Sequence, residues 1–512
     1  MRLASPEQMQ GIDRRMIVGH HVPGLLLMEN AAAMTAQAIG ERWPVEDHPR
    51  TAVVCGAGNN GGDGLAIARL LHGRGYHVRV WLLKEAEALT GDAAKNVGYA
   101  KELGIPLEDG TDIENLKKGL AESDIVVDAI FGTGLAREVT GAYADAIEAI
   151  NAAGKLVAAV DIPSGIDGRT GQVWGCAVRA DLTVTYGLAK TGQVLYPGRS
   201  HTGELIVAPI GISPDCVDQA GPFACSYGDS EIRQFLPRRD LTAHKGDCGH
   251  VGIIAGSAGM AGAAGLSAMG AVRGGAGRVS LASPASAYDQ AVSVTPEAMG
   301  VALPADEAGR LAVGALREID AFLEGKDAIA LGPGWGRGGD LCDIARHILA
   351  SCPLSMVVDA DGLYAVKDNP DVWADREGPT VITPHPGEMA YLTGESARTI
   401  AEDPMTAAHS YAQRHGIVVV LKGAATVVVS PDGSAYINGT GNPGMATGGS
   451  GDVLSGLIAA LMGQGMEAYW AATLGVWLHG RSGDIASART GIWAVKASDI
   501  AAALPDAWRS VV

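Results

Sequence analysis

Four glycine-rich turns in this chain set acids and amides where the backbone itself can bind a ligand. VVCGAGNNGGDG (53–64) reads as a strand, a tight turn and a helix starting near Gly64. Glycine admits positive φ and close backbone approach, and a helix N-terminus favours anions. Gly56, Gly58 and Gly61 fit G-x-G-x-x-G, but Asn59 and Asn60 crowd that spacing with amides, so it is not the dinucleotide fingerprint. DAIFGTGLARE (128–138) places Asp128 in a strand and Gly132, Thr133 and Gly134 in the turn after it. AVDIPSGID (159–167) ends a strand on Asp161, followed by Ser164 and Asp167. Ligands gather at the carboxyl ends of strands in open parallel sheets, so these three turns can line one crevice. Asn60, Asp128 and Ser164 offer the oxygen donors that a hard cation takes. Singly, each aspartate reads more readily as a helix N-cap; strand–helix packing is the plainer alternative for the first turn, but two amides and a carboxylate in one turn argue against it. Together they describe a site.

The fourth turn lies in NGTGNPGMATGGSGDVLSGLIAAL (438–461), where Gly448, Gly449 and Gly451 precede Asp452 at the opening of an apolar helix. Backbone N–H groups at such a start can stabilise charge on a transferring phosphoryl group. Asp452 beside them could accept a proton from an attacking hydroxyl; the plain alternative is an ordinary N-cap. Other polar residues have plainer readings. His72, His77 and His479 stand singly and read as surface or packing residues, and Trp470 and Trp477, seven apart, read as core. Lys245 in its polar turn is as well explained by solvent as by a phosphate. No cysteine has a visible base partner.

These turns need strands and helices to hold them. Apolar runs at 51–58, 77–83, 124–130, 155–163 and 182–187 alternate with helix-length segments, the pattern of parallel strands buried on both faces. A polar stretch around 211–246, with Pro214, Pro222 and Pro237, precedes a second series at 250–257, 277–283, 328–334, 355–362, 380–388, 417–423 and 426–433, then a helix at 453–462. The expectation is two α/β domains, residues 1–224 and 225–512. Length and composition agree: 512 residues, 47% hydrophobic and 19% charged, with 71 glycines, describe a globular chain rather than a disordered or collagen-like one. A net charge of −18 argues against a general nucleic-acid or anionic-membrane binder. The seven cysteines form no Cys-x-x-Cys pair and fit a reducing compartment. No apolar signal core is visible near the start. The uncharged run from Val251 to Val272 holds six glycines and reads as strand, loop and helix rather than a membrane span, so a cytoplasmic protein is expected.

NNGGDG, VDAIFGTG and DIPSGID, in this order and spacing, resemble the epimerase domain of NAD(P)H-hydrate repair enzymes over roughly residues 1–215. The resemblance implies a Rossmann-like, three-layer domain that interconverts the 6R and 6S hydrates of NADH and NADPH. It implies hydrate contacts at Asn59, Asn60, Gly61, Gly62 and Asp63, at Gly132, Thr133, Gly134, Leu135, Ala136, Arg137 and Glu138, and at Asp161. It implies potassium at Asn60, Asp128 and Ser164. Asp161 is the expected catalytic carboxylate, since reversal at C6 requires hydroxyl loss and return through a cationic ring. HKGDCGHVGIIAGSAGMAGAAGLSA (244–268), ALGPGWGR (330–337), VVDADGL (357–363), TPHPGEM (383–389), LKGAAT (421–426) and GGSGD together resemble the ADP/ATP-dependent NAD(P)H-hydrate dehydratases, which are ribokinase-like. Many sugar kinases carry Asn-x-x-Glu where this chain has His385 and Glu388, which favours the dehydratase. This second resemblance implies hydrate near Ala263, Gly336, His385 and Asp452. It places the nucleotide on Lys422, Gly423, Ala424, Ala425, Thr426 and Gly451, with magnesium balancing its phosphates. Asp452 would be the base for phosphorylation, ADP rather than ATP the expected donor, and a homo-oligomer the expected assembly. A small-molecule kinase with a regulatory first domain and a nucleotide-sensing module without turnover are the competing readings.

Overall fold

The computed structural model describes residues 1–367, 370–374 and 376–512. It separates into two compact units, one of residues 2–224 and one built on residues 225–512.

The first unit is organised by seven strands: Arg50–Cys55, His77–Leu82, Leu107–Asp109, Ile125–Ala129, Leu156–Val160, Leu182–Tyr186 and Glu204–Ala208. Counted along the chain, their order across the sheet is 3-2-1-4-5-6-7, and every pairing is parallel. Successive strand side chains face opposite ways. Val53, Cys55, Val80, Val127 and Val160 accordingly pack with Ala36, Leu65 and Val97 of helices Gly24–Arg42, Asn59–Gly73 and Gly91–Glu102. Ala52, Val54, Trp81, Val126 and Val157 pack with Leu116 and Ile147 of helices Ile113–Glu122 and Ala142–Ala152 on the other face. The result is three layers, with a topological switch point between the first and fourth strands. Such a point opens a crevice at the carboxyl ends of the strands, and 56–63 and 130–138 leave the sheet there.

One boundary differs from the sequence reading. The helix expected from near Gly64 begins at Asn59, after Gly58 in extended conformation. A side chain at Gly61 would place its Cβ 2.0 Å from the Gly56 carbonyl oxygen, so glycine lets the first helical turn lie against the preceding bend. Asn59 to Asp63 are therefore helical residues.

In the second unit the strands are His250–Ile254, Arg278–Pro284, Met299–Leu303, Ala328–Leu331, Ser355–Val358, Thr380–Ile382, Val418–Leu421, Val427–Val429 and Ala435–Ile437. Their order is 3-2-1-4-5-6-7-8-9; the first seven are parallel and the last two antiparallel. The strand expected at 380–388 stops at Ile382, because Pro384 and Pro386 remove backbone donors and His385 caps helix Pro386–Thr393. The uncharged run 251–272 divides between strand His250–Ile254 and helix Ala261–Arg273. No helix among the described residues is long and apolar enough to cross a membrane.

Helix Ala261–Arg273 packs against helix Ser450–Gly463 at backbone contact distance. A Cβ on Gly456 would fall 1.8 Å from the Ser267 carbonyl oxygen, and one on Gly270 2.2 Å from that of Val453. Gly456→Ala is expected to destabilise the second unit by about 2 kcal/mol through overpacking. Its midpoint in chemical denaturation should fall, whereas Gly98→Ala, where nothing lies within 4 Å, should shift the first unit far less.

Candidate active sites

In the first unit a cavity of about 1030 Å³ opens at the switch point. Its wall includes Asn59, Asn60 and Asp63, the turn residues Gly132, Thr133, Gly134, Leu135, Arg137 and Glu138, and Asp161. Asp161 follows its strand with φ +65°, an uncommon conformation for a side chain of this kind. Its backbone is held by N–H donation to Val184 O at 2.9 Å and by Gln193 Nε2 donating to its carbonyl at 2.7 Å. Its carboxylate is paired with Lys190, whose Nζ lies 2.5 Å from Oδ1. Lys190 is 1% exposed, so the pair is a buried one.

Asp128 and Ser164 lie behind the cavity wall, both fully buried. Ser164 donates to Asp128 through Oγ at 2.6 Å and through N at 2.8 Å, and Ile130 N donates at 3.2 Å. Burial nevertheless pushes the Asp128 carboxyl up to about 6, against the lowering effect of those bonds. No basic side chain bonds or pairs with Asp128 among the described residues. Asn60 is close by the same turn: a Cβ on Gly132 would lie 3.3 Å from Asn60 Oδ1. Asp167 keeps its plain role, since its carboxylate accepts from Arg169 N, Thr170 N and Trp174 Nε1 and shapes its own turn.

The second unit gathers its charges at the start of helix Ser450–Gly463. Gly449 caps that helix at φ +90°, and Asp452 in the first turn makes no capping bond, so the N-cap reading of Asp452 does not hold. Lys422 donates from Nζ to Asp359 Oδ1 at 2.8 Å and lies 3.7 Å from Glu388 Oε2. Asp359 also accepts from Ser455 Oγ, one turn beyond Asp452. A Cβ on Gly451 would meet Lys422 Nζ at 3.2 Å, so the ammonium sits against the glycine turn. Burial pushes the Asp452 carboxyl up to about 7; Asp359, Asp361 and Glu388 add to this and Lys422 opposes it. On Lys422 burial acts downward, but Asp359 and Glu388 outweigh it and the ammonium is held above its usual range.

His385 Nδ1 accepts from Gly387 N at 3.0 Å and Glu388 N at 3.2 Å, while Glu388 Oε2 accepts from His385 N at 2.8 Å. With Nδ1 occupied as an acceptor, the imidazole proton belongs on Nε2. Gly336, at φ +76°, donates its N–H to Asp361 Oδ2 at 2.8 Å. Arg337 stacks over the Tyr364 ring at 3.7 Å.

A family model described as NAD(P)H-hydrate dehydratase matches residues 251–506, and one described as YjeF-related protein N-terminus matches residues 24–192. The bifunctional NAD(P)H-hydrate repair enzyme Nnr of Moorella thermoacetica is 40% identical over 515 residues, covering 100% of this chain and 97% of that protein. The chain belongs to the bifunctional NAD(P)H-hydrate repair enzymes. The protein of that name from Thermofilum pendens is also 40% identical, over 521 residues, with 100% and 97% covered. Among solved structures, the ADP/ATP-dependent NAD(P)H-hydrate dehydratase of Bacillus subtilis, co-crystallized with ATP/Mg²⁺, shares 29% identity at a TM-score of 0.51, covering 56% of this chain and 99% of that one. The family and the α/β architecture expected from the motifs are thus borne out.

Within this repair enzyme, ten of the thirteen hydrate positions expected in the first unit reach the cavity wall. Gly61 and Gly62 do not; both are buried, and a Cβ on Gly62 would lie 2.9 Å from Met28 Cε. Ala136 is exposed off the wall. In the second unit Lys422, Gly451 and Asp452 come together, whereas Gly423 and Ala424 are exposed and Ala425 is buried. Thr426 Oγ1 donates to Gly423 O at 3.2 Å and closes that loop. Ala263 adjoins the 334–336 loop: a Cβ on Gly334 would be 2.9 Å from Ala263 Cβ. Sequence reasoning missed Lys190, Asp13, Asp359, Asp361 and Ser455. Lys190 had a usable signal, a lysine four residues beyond Tyr186 at a strand's carboxyl end. His479, read as surface or simple packing, is buried under the glycine turn with Nε2 3.4 Å from Ser450 Oγ, and burial pushes it down to about 4.

Lys422→Met strands a buried carboxylate, since Asp359 is 1% exposed. The second unit should lose about 3 kcal/mol, and Asp359→Asn combined with Lys422→Met should recover much of it in the same denaturant titration.

Proposed function

We propose that residues 2–224 interconvert the 6R and 6S hydrates of NADH and NADPH, and that residues 225–512 dehydrate the 6S form at the expense of ADP or ATP. The observation that carries the second assignment is Asp452, uncapped and half-buried, in the first turn of a glycine-started helix beside Lys422. Hydroxide is a poor leaving group. Asp452 takes the proton of the C6 hydroxyl as its oxygen attacks the terminal phosphoryl group, and the amides of the 449–451 turn with Lys422 stabilise the charge that develops. The ring nitrogen lone pair then expels phosphate, and loss of the C5 proton restores the double bond. The products are NAD(P)H, phosphate and, from ADP, AMP. A sugar-kinase-like activity would instead leave a stable phosphorylated product.

Magnesium takes most of its ligands from phosphates and water, with one or two carboxylates. Glu388 and Asp361, both close enough to act on Asp452, suit that share, and the ion would offset phosphate charge. Potassium fits the first unit for a separate reason: Asp128 is buried without a basic partner among the described residues, and Ser164 and Asn60 supply neutral oxygens. The ion would fix positive charge beside the 130–138 turn. A cytoplasmic location and a homo-oligomeric assembly complete this reading.

Incubation with mixed hydrates, ADP and Mg²⁺ should restore the absorbance of the reduced nicotinamide. Asp452→Ala should lower that recovery by at least ~10²-fold, the usual scale for a lost general base, while epimer exchange continues. Absence of recovery with either nucleotide rejects the dehydratase assignment. The pH profile supplies a second check. Because Asp452 must be ionised to act, kcat/KM for dehydration should rise through about pH 7. Asp359→Asn removes a like charge, so it should move that midpoint to lower pH.

A further inference from the structure

Epimerisation at C6 changes the ring face that carries the hydroxyl. Departure and return therefore occur on opposite sides, and each side needs its own proton-transfer group. Five acids line the cavity of the first unit, Asp13, Asp63, Asp92, Glu138 and Asp161; of these, Asp13, Asp63 and Asp161 act on one another, with Lys190 among them. Lys190 has no proton to spare. Its three N–H bonds go to Asp161 Oδ1 at 2.5 Å, Thr185 Oγ1 at 2.8 Å and Tyr186 O at 3.1 Å. Asp161 Oδ1 also accepts from Thr185 Oγ1 at 3.1 Å and Tyr186 N at 3.3 Å, which leaves Oδ2 as the oxygen available to a ligand.

Asp63 is built differently. It projects from the second turn of helix Asn59–Gly73, on the first strand's side of the switch point, and its carboxyl makes no hydrogen bond among the described residues. Burial, Asp161 and Asp13 together hold it well above the usual carboxylate range. Asp13 is also raised by burial and by Asp161, but Lys190 pulls it back. No cation offsets Asp63 in that way. The groups around Asp161 are thus Lys190, Asp13 and Asp63, the Tyr186 phenol, itself pushed up by burial, and Arg137 and Glu138 from the facing turn.

We propose that Asp63 and Asp161 are an acid–base pair serving opposite faces of the hydrate ring, with Lys190 a positioning residue that holds Asp161 by its Oδ1 and turns Oδ2 to the ligand. This rests on the epimerase reading of the first unit. The Asp63 proton passes to the C6 hydroxyl oxygen, the C6–O bond breaks and water departs, and the ring nitrogen lone pair forms the N1=C6 bond. A second water attacks C6 from the other face. The N1=C6 electrons return to nitrogen, and a proton of that water passes to Asp161. In the opposite direction the roles exchange, and solvent in the cavity returns the pair to its starting state. One water leaves and one enters, and nothing else is consumed.

The test follows epimer exchange by the full-length enzyme in H₂¹⁸O. The wild type should gain one ¹⁸O at C6 per exchange. Asp63→Asn and Asp161→Asn should each slow exchange in both directions by ~10²-fold or more, with little change in KM. Asp63→Glu should keep part of the rate, and thermal melting shows whether each variant is folded. Lys190→Met, which removes the three bonds that hold Asp161 and its neighbours, should lower kcat by ~10-fold or more with little change in KM, and Lys190→Arg should restore part of it. A wild type that leaves the epimer ratio fixed overturns the epimerase reading itself. Exchange at the wild-type rate in Asp63→Asn, or exchange without ¹⁸O uptake, overturns the pair while leaving that reading intact.

Discussion

A lysine–carboxylate pair with one partner fully buried, at the carboxyl edge of a parallel sheet, is the interaction common to both units. In the first it is Lys190 with Asp161, in the second Lys422 with Asp359. Neither pair is a plain stabiliser. Desolvating both charges costs several kcal/mol per ion, and such pairs are often no better for stability than apolar residues of the same volume. What each pair provides is a fixed charge in a dry place. The Lys190 ammonium spends all three protons on the Asp161 neighbourhood, and Lys422 reaches both Asp359 and the back of the 449–451 turn. The acids proposed to face substrate are set against these anchors. Asp452 is raised by burial and by Asp359, and Asp63 by burial and by Asp161.

The sheets explain why such anchors occur twice. Both units run their strands in the order 3-2-1-4 at the core of the sheet, so both have a switch point between the first strand and the fourth. At that point two successive turns diverge, and a ligand can meet backbone from both. The chemistry then differs by what the glycines admit. In the first unit Gly61 brings a helix start onto the Gly56 carbonyl, and Asp63 of that helix lines the cavity. In the second, Gly270 and Gly456 bring two helices into backbone contact, which fixes the turn before Asp452 relative to the sheet.

The fold and much of both sites were legible because buried parallel strands leave uninterrupted apolar runs and because glycine is dense only where close approach demands it. Asp161, Asp452 and the 132–138 turn could be found as acids and glycines at strand ends. Helix starts were less legible: Asn59 to Asp63 read as a loop because asparagine and glycine are poor helix formers, and only the contact of Gly61 with Gly56 makes them helical. The lysines were least legible. A buried lysine looks like any other in sequence, and Lys190 reaches Asp161 through the pairing of strands 5 and 6 and of the short strand Ala189–Lys190 with Arg2–Ala4. Asp359 and Asp361 lay in a quoted motif, yet their separate partners, Lys422 and Gly336 N, are set by tertiary contacts alone.

A chain of net charge −18 that works on dinucleotides and nucleoside phosphates meets them with a repulsive net field, and the positions of its cations resolve this. Surface charge is screened within about 8–10 Å at ordinary salt, whereas charge inside a low-dielectric pocket is not. Lys190 is almost fully enclosed and Lys422 largely so, and the amides at the 449–451 helix start add partial positive charge without any side chain. The anionic exterior sets solubility and long-range repulsion; the few enclosed donors set what binds. Specificity for a hydrate over an intact nicotinamide then need not come from attraction at all. It can come from where a C6 hydroxyl sits relative to the carboxyls on the cavity wall, Asp63 and Asp161.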